Sequence, residues 1–283
     1  MEDSTLKWYD YCISRYPGEY MTHNSFTLIS DIHMGGLIEC RPGDEAEHLL
    51  NIFFDLCESE VIIDLGDRVN NHDYCSDSEN TRKIVSLFRK SGKKTYPVLG
   101  NHDLHNVTIK ENLEILGLQS SYYSKIINGI RFIFLNTADP VRKECMGHIS
   151  CQQLKWLEQE LTADDLPKII CAHHPFFSQD MKGNPFFTTI AGQEKIDNGE
   201  EVERILLQGK NILCYLCGHV HWFYFKKVNT IPCLAVPSFI ENYPLKEQCA
   251  GRYCEFSIED RKIEISFKTV NPSRVLGKIE YDC

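Results

Sequence analysis

The sequence predicts an α/β fold with parallel strand pairing, and two observations support this prediction. Short apolar runs alternate with stretches that have the apolar spacing of helices, which is the pattern of strands joined by crossover helices. The apolar runs end at glycine and polar residues, as strands do where they enter loops. The 283 residues contain no repeat, low-complexity segment or clear linker, and they therefore predict a single domain that covers residues 1–283.

The first part of the chain alternates strand and helix. The predicted strands here are residues 26–31, 61–65 and 96–99. Between the first two, residues 44–58 predict a helix with Asp44 as N-cap and Glu47 three residues later, the spacing of a capping box. Residues 78–91 predict a second helix, which ends at Gly92.

The rest of the chain predicts shorter elements. Asn128-Gly129 separates two apolar runs and predicts a hairpin turn. Ser150 followed by Gln153 predicts the capped start of another helix. Further helices are predicted at residues 106–116 and 199–208, and further strands at 122–127, 130–135, 168–172, 211–217, 222–228, 231–236, 252–258 and 262–269.

Composition and charge exclude several classes of protein. The net charge of −10 and the lack of a basic run argue against a nucleic-acid-binding surface, which needs clustered Lys and Arg. Every apolar run is shorter than the ~20 residues that span a bilayer. The first residues also lack the basic and apolar regions of a signal peptide. We therefore expect a soluble, cytoplasmic protein without a membrane partner.

The cysteines do not predict a metal site or a disulfide framework. The 13 cysteines are scattered and odd in number, and we expect reduced thiols. Cys214 and Cys217 have the C-x-x-C spacing that can bind zinc. They lie in a predicted strand, however, where residues three apart point to opposite faces and cannot hold one ion.

Metal-binding types of side chain follow five of the predicted strands. They are Asp31 with His33, Asp67, Asn101 with His102, His173, and His219 with His221. In an open α/β sheet, ligands bind beyond the carboxyl ends of the strands, so these side chains are expected to meet there. On extended backbone, residues two apart point the same way, and on that argument each Asp-x-His or His-x-His pair addresses one site.

Seven of these side chains form the candidate ligand set, which has two carboxylates, four imidazoles and one amide oxygen. The set exceeds the needs of one ion and fits two divalent ions bridged by a carboxylate. Oxygen and imidazole donors without thiolate favour Mn, Fe or Zn, and the sequence leaves the choice among them open. Two such ions attract phosphate, lower the pKa of a bridging water and stabilise both oxygens of an in-line displacement.

Taken in order, these motifs resemble those of the calcineurin-like metallophosphoesterase superfamily. The motifs are Asp31-x-His33, Gly66-Asp67-x-x-Asn70, Gly100-Asn101-His102-Asp103, His173-His174-Pro175 and Gly218-His219-x-His221. They span residues 31–221, about two-thirds of the chain. Each motif alone is weak evidence, whereas the complete ordered set is very specific.

The resemblance implies a role for each residue of the set. Asp31, His33 and His221 would bind the first metal ion, Asp67 would bridge, and Asn101, His173 and His219 would complete the second site. A metal-bridging hydroxide would attack phosphorus, and His102 would protonate the leaving oxygen. Asp103 would orient His102, as a carboxylate can fix an imidazole.

The resemblance also implies the fold. It would be a four-layer α-β-β-α sandwich of two facing mixed sheets, with the metal site at the carboxyl ends of the strands. Residues 26–222 would contain the motif core, and the strands of residues 223–283 would complete the second sheet.

Flanking residues resemble one branch of the superfamily, the class III cyclic-nucleotide phosphodiesterases. The resembling segments are Gly147 to Leu157, which matches that branch's G-x-x-x-x-x-Q-x-x-W-L helix, Val236-Pro237-Ser238 and Gly251-Arg252-Tyr253. Protein serine/threonine phosphatases instead carry Asp-Arg-Gly after the bridging Asp and Glu after Asn-His, which this chain lacks. The expected activity is hydrolysis of a small-molecule phosphodiester, such as a cyclic nucleotide or glycerophosphodiester. The alternatives are a phosphomonoesterase, a nucleotide pyrophosphatase and, least favoured, a non-catalytic scaffold.

Other residues keep two interpretations. Arg68, where an aliphatic residue is common in the family, could contact phosphate or form a salt bridge. His174 could pack behind the site or contact substrate, and His105 is expected to be a solvated loop residue. The phenylalanine pairs of the irregular segment 176–198 are expected to pack, with stacking on a nucleobase as the alternative. The substrate and the oligomeric state do not follow from the sequence.

Overall fold

The computed structural model describes residues 24–35, 37–38, 41–42, 45–142, 145–190, 192–241, 250–259 and 262–282. The N-cap expected at Asp44 lies outside these ranges. The strands are β1 (Asn24–Ile29), β2 (Leu37–Ile38), β3 (Arg41–Pro42), β4 (Val61–Asp64), β5 (Lys94–Pro97), β6 (Tyr123–Ile127), β7 (Ile130–Phe134), β8 (Lys168–Cys171), β9 (Ile212–Cys217), β10 (Tyr224–Val228), β11 (Ile231–Ala235), β12 (Ala250–Glu259), β13 (Lys262–Asn271) and β14 (Arg274–Asp282).

Side chains cap the start of three of the described helices. The described helices are α1 (Glu45–Leu56), α2 (Tyr74–Lys90), α3 (Ile109–Leu116), α4 (Cys151–Thr162) and α5 (Gly199–Leu206). The Asp73 side chain accepts from the Ser76 N–H at 3.0 Å, so α2 begins before the predicted residue 78. Ser150 caps α4 as predicted, since its side chain accepts from the Gln153 N–H. None of these helices has the length and apolar character that crossing a membrane requires.

Two six-stranded sheets form the centre of the molecule. The first sheet has the order β14-β13-β12-β1-β4-β5, and the second has the order β10-β11-β9-β8-β7-β6. Strands β1, β4 and β5 run parallel in the first sheet, as do β7, β8, β9 and β11 in the second. Strands β12 to β14 in the first sheet, and β6 and β10 in the second, pair antiparallel. Both sheets are therefore mixed, and the predicted α/β class is confirmed.

The sheets face each other and helices cover their outer faces. Phe26 of β1 and Phe132 of β7 meet between the sheets, with ring centroids 4.9 Å apart. Helices α1 and α2 pack on the first sheet, and α4 and α5 pack on the second. The four-layer sandwich is therefore confirmed. Cys214 lies in the core between the sheets and Cys217 in the core under α4 and α5, so the two thiols point to opposite faces as predicted.

The C-terminal strands divide between the two sheets. Only β10 and β11 extend the second sheet, whereas β12, β13 and β14 extend the first. The expectation that residues 223–283 complete the second sheet is therefore wrong for this last part. The reason is that β12 pairs with β1 and sets Phe256 opposite Phe26, which buries both rings between the sheets. Strand β14 was not predicted, because its mostly exposed side chains form no apolar run.

Candidate metal centre

The loops that follow β1, β4, β5, β8 and β9 bring the predicted ligands to one end of the sandwich. Main-chain bonds join the first two loops, from the Asp31 N–H to Gly66 O at 2.9 Å and from the His33 N–H to Asp67 O at 3.1 Å. The loop after β9 joins them through the His219 N–H, which donates to Asp31 Oδ2 at 3.1 Å. Residues far apart in the chain thus form one buried cluster.

The backbone of this cluster is left-handed at five non-glycine residues. Asp31, His33, Asp67, His219 and His221 have φ between +48° and +68°. Such conformations cost of order 1–3 kcal/mol each and collect at functional sites. They also overturn the argument from extended backbone: Asp31 and His33 point to one group of ligand atoms, whereas His219 and His221 point to different groups.

The first group of ligand atoms consists of Asp31, His33 and His221. Nε2 of His33 lies 3.2 Å from Nε2 of His221. Oδ1 of Asp31 lies 3.3 Å from the His221 Nε2 and 3.8 Å from the His33 Nε2. All three side chains are buried. Three donor atoms that face one another this closely can converge on one cation.

The second group of ligand atoms consists of Asp67, His173 and His219, and the sequence prediction adds the buried Asn101 Oδ1. Oδ2 of Asp67 lies 3.1 Å from the His173 Nε2 and 4.0 Å from the His33 Nε2, so Asp67 lies between the two groups. Ligand atoms of His173 and His219 also lie within 4.8 Å of each other. Gly100 allows the Asn101 loop to lie close to Asp67, because a Cβ at Gly100 would lie 2.0 Å from Asp67 Oδ1.

Several of the donor atoms are buried without a hydrogen-bond partner in the described part of the chain. They include Asp31 Oδ1, Asn101 Oδ1 and His173 Nε2. Leaving a buried polar atom unsatisfied costs about 1–3 kcal/mol, and a cation would satisfy all of these atoms. The mixture of oxygen and imidazole donors without thiolate suits Mn, Fe or Zn. The side chains present therefore fit a pair of divalent ions.

Electrostatics keeps the carboxylates of the cluster ionised. Burial by itself would raise the pKa of Asp31, but His221 and His173 outweigh burial and lower it to about 2. Burial likewise opposes ionisation of Asp67, and His173 and His102 hold its pKa well below the usual value. Both carboxylates can thus act as anionic oxygen ligands at neutral pH.

Two of the imidazoles are held neutral. Burial and the adjacent rings of His102 and His221 lower the pKa of His33 to about 3. Burial and His173 lower the pKa of His219 to about 3 in the same way. A neutral imidazole offers a lone pair to a metal ion.

The far nitrogens of three imidazoles each face an oxygen acceptor. His173 Nδ1 lies 2.8 Å from Leu65 O, and His219 Nε2 lies 3.0 Å from Gln193 O. His221 Nδ1 lies 2.8 Å from the carboxylate of Glu241. Such partners fix the orientation of a metal-binding ring. Sequence reasoning missed Glu241, whose only signal was its position shortly after the Val236-Pro237-Ser238 motif.

His102 is oriented by a different residue from the one expected. Its Nδ1 lies 2.7 Å from Asn71 Oδ1, and its side chain is 26% exposed with Nε2 4.0 Å from Asp67 Oδ2. Asp103 instead accepts from the main-chain N–H groups of Asp67, Arg68 and Gly100. The role expected for Asp103 is therefore wrong, because its carboxylate is buried under the turn with both oxygens engaged.

Comparison with known proteins identifies the family of this chain. A family model described as calcineurin-like phosphoesterase matches residues 25–223. This chain belongs to the calcineurin-like phosphoesterase family. It is 28% identical over 144 residues to a Fibrobacter succinogenes protein named "Probable cyclic nucleotide phosphodiesterase", a match that covers 49% of this chain and 50% of that protein. A Synechococcus protein of the same name is 27% identical over 164 residues, 54% of this chain and 56% of that protein.

The sequence match to these two relatives is partial, whereas the structural similarity to a solved protein covers most of the chain. The chain spans about half the length of the curated relatives it matches. A dimetal phosphatase from Danio rerio superposes with a TM-score of 0.73 at 16% identity, over 91% of this chain and 98% of that chain. At this identity the likeness concerns the fold, which this calcineurin-like phosphoesterase shares over most of its length.

In this calcineurin-like phosphoesterase, Arg68 forms a buried salt bridge, one of the two roles that the sequence left open. Its Nε lies 2.7 Å from Asp64 Oδ2 and its Nη1 lies 2.9 Å from Asp103 Oδ2. Its Nη2 donates to Val98 O at 2.8 Å. Burial works against the guanidinium charge, but the two carboxylates outweigh burial and raise the pKa of Arg68. This network ties the Asp67 loop to the Asn101–His102 loop.

We expect Arg68→Met to lower the free energy of unfolding by about 3–5 kcal/mol, because two buried carboxylates would lose their counter-charge. Urea denaturation at constant pH measures this loss. Arg131→Met is the matched control, since the ion pairs of Arg131 are partly exposed and such pairs contribute about 1 kcal/mol or less. Equal losses in the two variants would contradict the buried network.

His174 supports the site from behind. Its Nδ1 lies 2.7 Å from Thr137 Oγ1 and its Nε2 lies 2.9 Å from Cys145 O, so both ring nitrogens are engaged within the protein. Thr137 follows Asn136, whose main-chain N–H and C=O bond the Gln153 amide at 2.9 and 2.8 Å. The glutamine of the G-x-x-x-x-x-Q-x-x-W-L helix thereby anchors the strand end that holds His174.

The 176–198 segment packs against the centre. Phe176, Phe177 and Phe187 are buried in the core under α4 and α5, as expected. Phe186 is partly buried against His221, with ring centroids 5.0 Å apart. Asn184 Nδ2 donates to Val220 O at 2.9 Å. This bond holds the segment against the turn that carries the predicted ligands His219 and His221. His105 is exposed, in agreement with the prediction of a solvated loop residue.

Proposed function

We propose that this calcineurin-like phosphoesterase is a dinuclear metal-dependent hydrolase whose substrate is a small-molecule phosphodiester. One observation carries the proposal: Asp67 lies between two groups of buried ligand atoms, 3.1 Å from His173 and 4.0 Å from His33. A carboxylate in that position can bridge two cations, and His102 is next to it.

In this proposal the two groups hold one divalent ion each. Asp31, His33 and His221 would hold one ion, Asn101, His173 and His219 would hold the other, and Asp67 would be shared. When bound, two divalent ions would neutralise phosphate oxygens and acidify water. The neutral His33 and His219 rings and the ionised carboxylates are in the protonation states that such binding requires.

His102 is the proton donor of the proposed reaction. Asn71 engages its Nδ1 at 2.7 Å, so Nε2 is the nitrogen directed to the reaction. As an oxygen of water bonds to phosphorus, the bond from phosphorus to the leaving oxygen breaks, and the proton on Nε2 passes to that leaving oxygen. Positioned general acids of this kind contribute about 10²–10⁴-fold to the rate.

The choice of a phosphodiester rests on the relatives and on the motif helix. Both curated relatives carry the name "Probable cyclic nucleotide phosphodiesterase", and Gln153 and Trp156 match the helix of that branch. A phosphomonoester or a nucleotide pyrophosphate is the alternative substrate. A non-catalytic scaffold is disfavoured, because all seven candidate ligands and His102 are present.

A substrate panel tests the proposal. The protein, stripped with a chelator and reloaded with Mn²⁺, is assayed on bis-p-nitrophenyl phosphate and on p-nitrophenyl phosphate. We expect a higher kcat/KM for the diester and no turnover by the stripped protein. Cyclic nucleotides, glycerophosphodiesters and dinucleotides then identify the class of natural substrate.

Other outcomes of the panel would redirect the proposal. Turnover of the monoester alone would make the protein a phosphomonoesterase. Turnover of dinucleotides alone would make it a pyrophosphatase. Absence of stoichiometric transition metal together with absence of turnover would favour the scaffold.

A further inference from the structure

The two groups of ligand atoms differ in what holds their imidazoles. In the second group, the far nitrogens of His173 and His219 face the main-chain carbonyls of Leu65 and Gln193. In the first group, the far nitrogen of His221 faces the Glu241 carboxylate at 2.8 Å. A carboxylate partner supplies a negative charge that a carbonyl does not.

The carboxylate of Glu241 is built into the site. Glu241 is 2% exposed, and the segment before it is bonded to both loops that carry the first group. The Ser238 hydroxyl donates to Asp31 O at 2.9 Å, and the Ser238 N–H donates to His221 O at 3.2 Å. The Phe239 N–H donates to Ser30 O at 2.9 Å. These bonds fix the segment before Glu241 in position relative to Asp31 and His221.

The charges of the two groups are unequal as a result. The carboxylates near the first group are Asp31, the shared Asp67 and Glu241, which acts through His221. The second group has the shared Asp67, with a ligand atom of Asp31 also within 4.8 Å of its His173, but its other members are an amide and two imidazoles, and no carboxylate lies behind its rings in the described contacts. The Glu241 carboxylate is therefore an additional negative charge on the side of the first group, and a cation in a buried site gains from each nearby negative charge.

We infer that Glu241 is a positioning residue that makes the first group the tighter of the two metal sites, so that this site fills first. By accepting from His221 Nδ1–H, Glu241 keeps the Nε2 lone pair directed at the ion and strengthens its donation. Partners of this kind are worth about 10–100-fold in metal affinity. The inference rests on the dinuclear centre of the proposed function.

Titration of chelator-stripped protein with Mn²⁺, followed by calorimetry, tests the inference without an activity assay. We expect two binding steps in the wild-type protein. Glu241→Gln, which keeps an acceptor oxygen but removes the charge, should weaken the tighter step about 10–100-fold and spare the weaker one. Asn101→Ala should do the opposite and affect only the weaker step.

Glu255→Gln is the matched control. It removes a largely buried carboxylate that accepts from Thr27 of β1 and from Ser59 in the loop before β4, outside both groups. Both Mn²⁺ steps should keep their affinities in this variant. Weaker Mn²⁺ binding by Glu255→Gln would show that removal of any buried carboxylate has this effect, and it would overturn the inference.

A measurement on the wild-type protein covers the case in which Glu241→Gln does not fold. One equivalent of Zn²⁺ should shift the histidine ring NMR signals of His33 and His221 before those of His173 and His219. Equal shifts of all four rings, or an unchanged first step in Glu241→Gln, would overturn the inference and leave the dinuclear centre intact. Failure of the wild-type protein to bind any Mn²⁺ or Zn²⁺ would overturn the proposed function itself.

Discussion

Replacement of Asp67 by alanine is expected to abolish two-metal binding and to lower phosphodiester turnover at least about a thousandfold, or about 4 kcal/mol of transition-state stabilisation. The reason is that Asp67 serves both groups at once. Its Oδ2 lies 3.1 Å from the His173 Nε2 and 4.0 Å from the His33 Nε2. Its Oδ1 accepts from the His102 N–H at 2.8 Å. Losing this side chain removes the shared ligand and loosens the turn that presents His102.

Metal content and turnover are measured together on this variant. Mass spectrometry of the dialysed protein gives the ions per chain, and bis-p-nitrophenyl phosphate gives the rate. Asp55→Ala, the same chemical change at an exposed position of α1, should keep both values. Full turnover by Asp67→Ala would contradict the proposed mechanism, whatever its metal content.

The fold and the clustering of the candidate ligands were predictable because both leave local signals in the sequence. A buried strand requires an apolar run, and the turn after it requires glycine or polar residues. Asp31, Asp67 and His173 each follow such a run, so their convergence could be inferred from parallel topology alone. The Asn128-Gly129 hairpin was predictable for the same reason: both residues have positive φ, +48° and +78°, which this dipeptide adopts readily.

The supporting contacts could not be predicted, because they depend on tertiary packing. Asp103 is adjacent to His102 in sequence, yet its carboxylate turns inward to Arg68. Asn71 reaches His102 from the loop after β4, 31 residues away. Glu241 meets His221 only because the segment after β11 is hydrogen-bonded to the loop after β1, through Ser238 and Phe239. Sequence neighbours therefore do not indicate which side chain orients each imidazole ring.

The His-x-His motif shows how the predicted convergence of side chains can rest on an incorrect local argument. On extended backbone, His219 and His221 would share a face, but both residues are left-handed, with φ of +68° and +60°. The two rings consequently diverge, one toward His173 and the other toward His33. The sequence pattern carries no sign of this conformation, since histidine adopts it only where surrounding contacts compensate its cost.

His102→Ala is expected to keep both metal ions and to lower kcat about 10²–10⁴-fold on substrates with an alkoxide leaving group. His102 belongs to neither group of ligand atoms, and its ring is the most accessible of those around Asp67, so its removal should leave the binding atoms in position. A p-nitrophenolate leaving group needs little protonation. The loss on bis-p-nitrophenyl phosphate should therefore be smaller, on the order of tenfold.

The dependence on the leaving group separates proton donation from other roles of His102. A ring that only bound the phosphate would lower turnover of both substrates equally, because the phosphate is common to them. A ring that only supported the fold would lower metal content and thermal stability as well. His105→Ala, at an exposed histidine of the same loop, should change none of these values. A selective loss on alkoxide substrates, with two ions still bound, would assign the proton to His102.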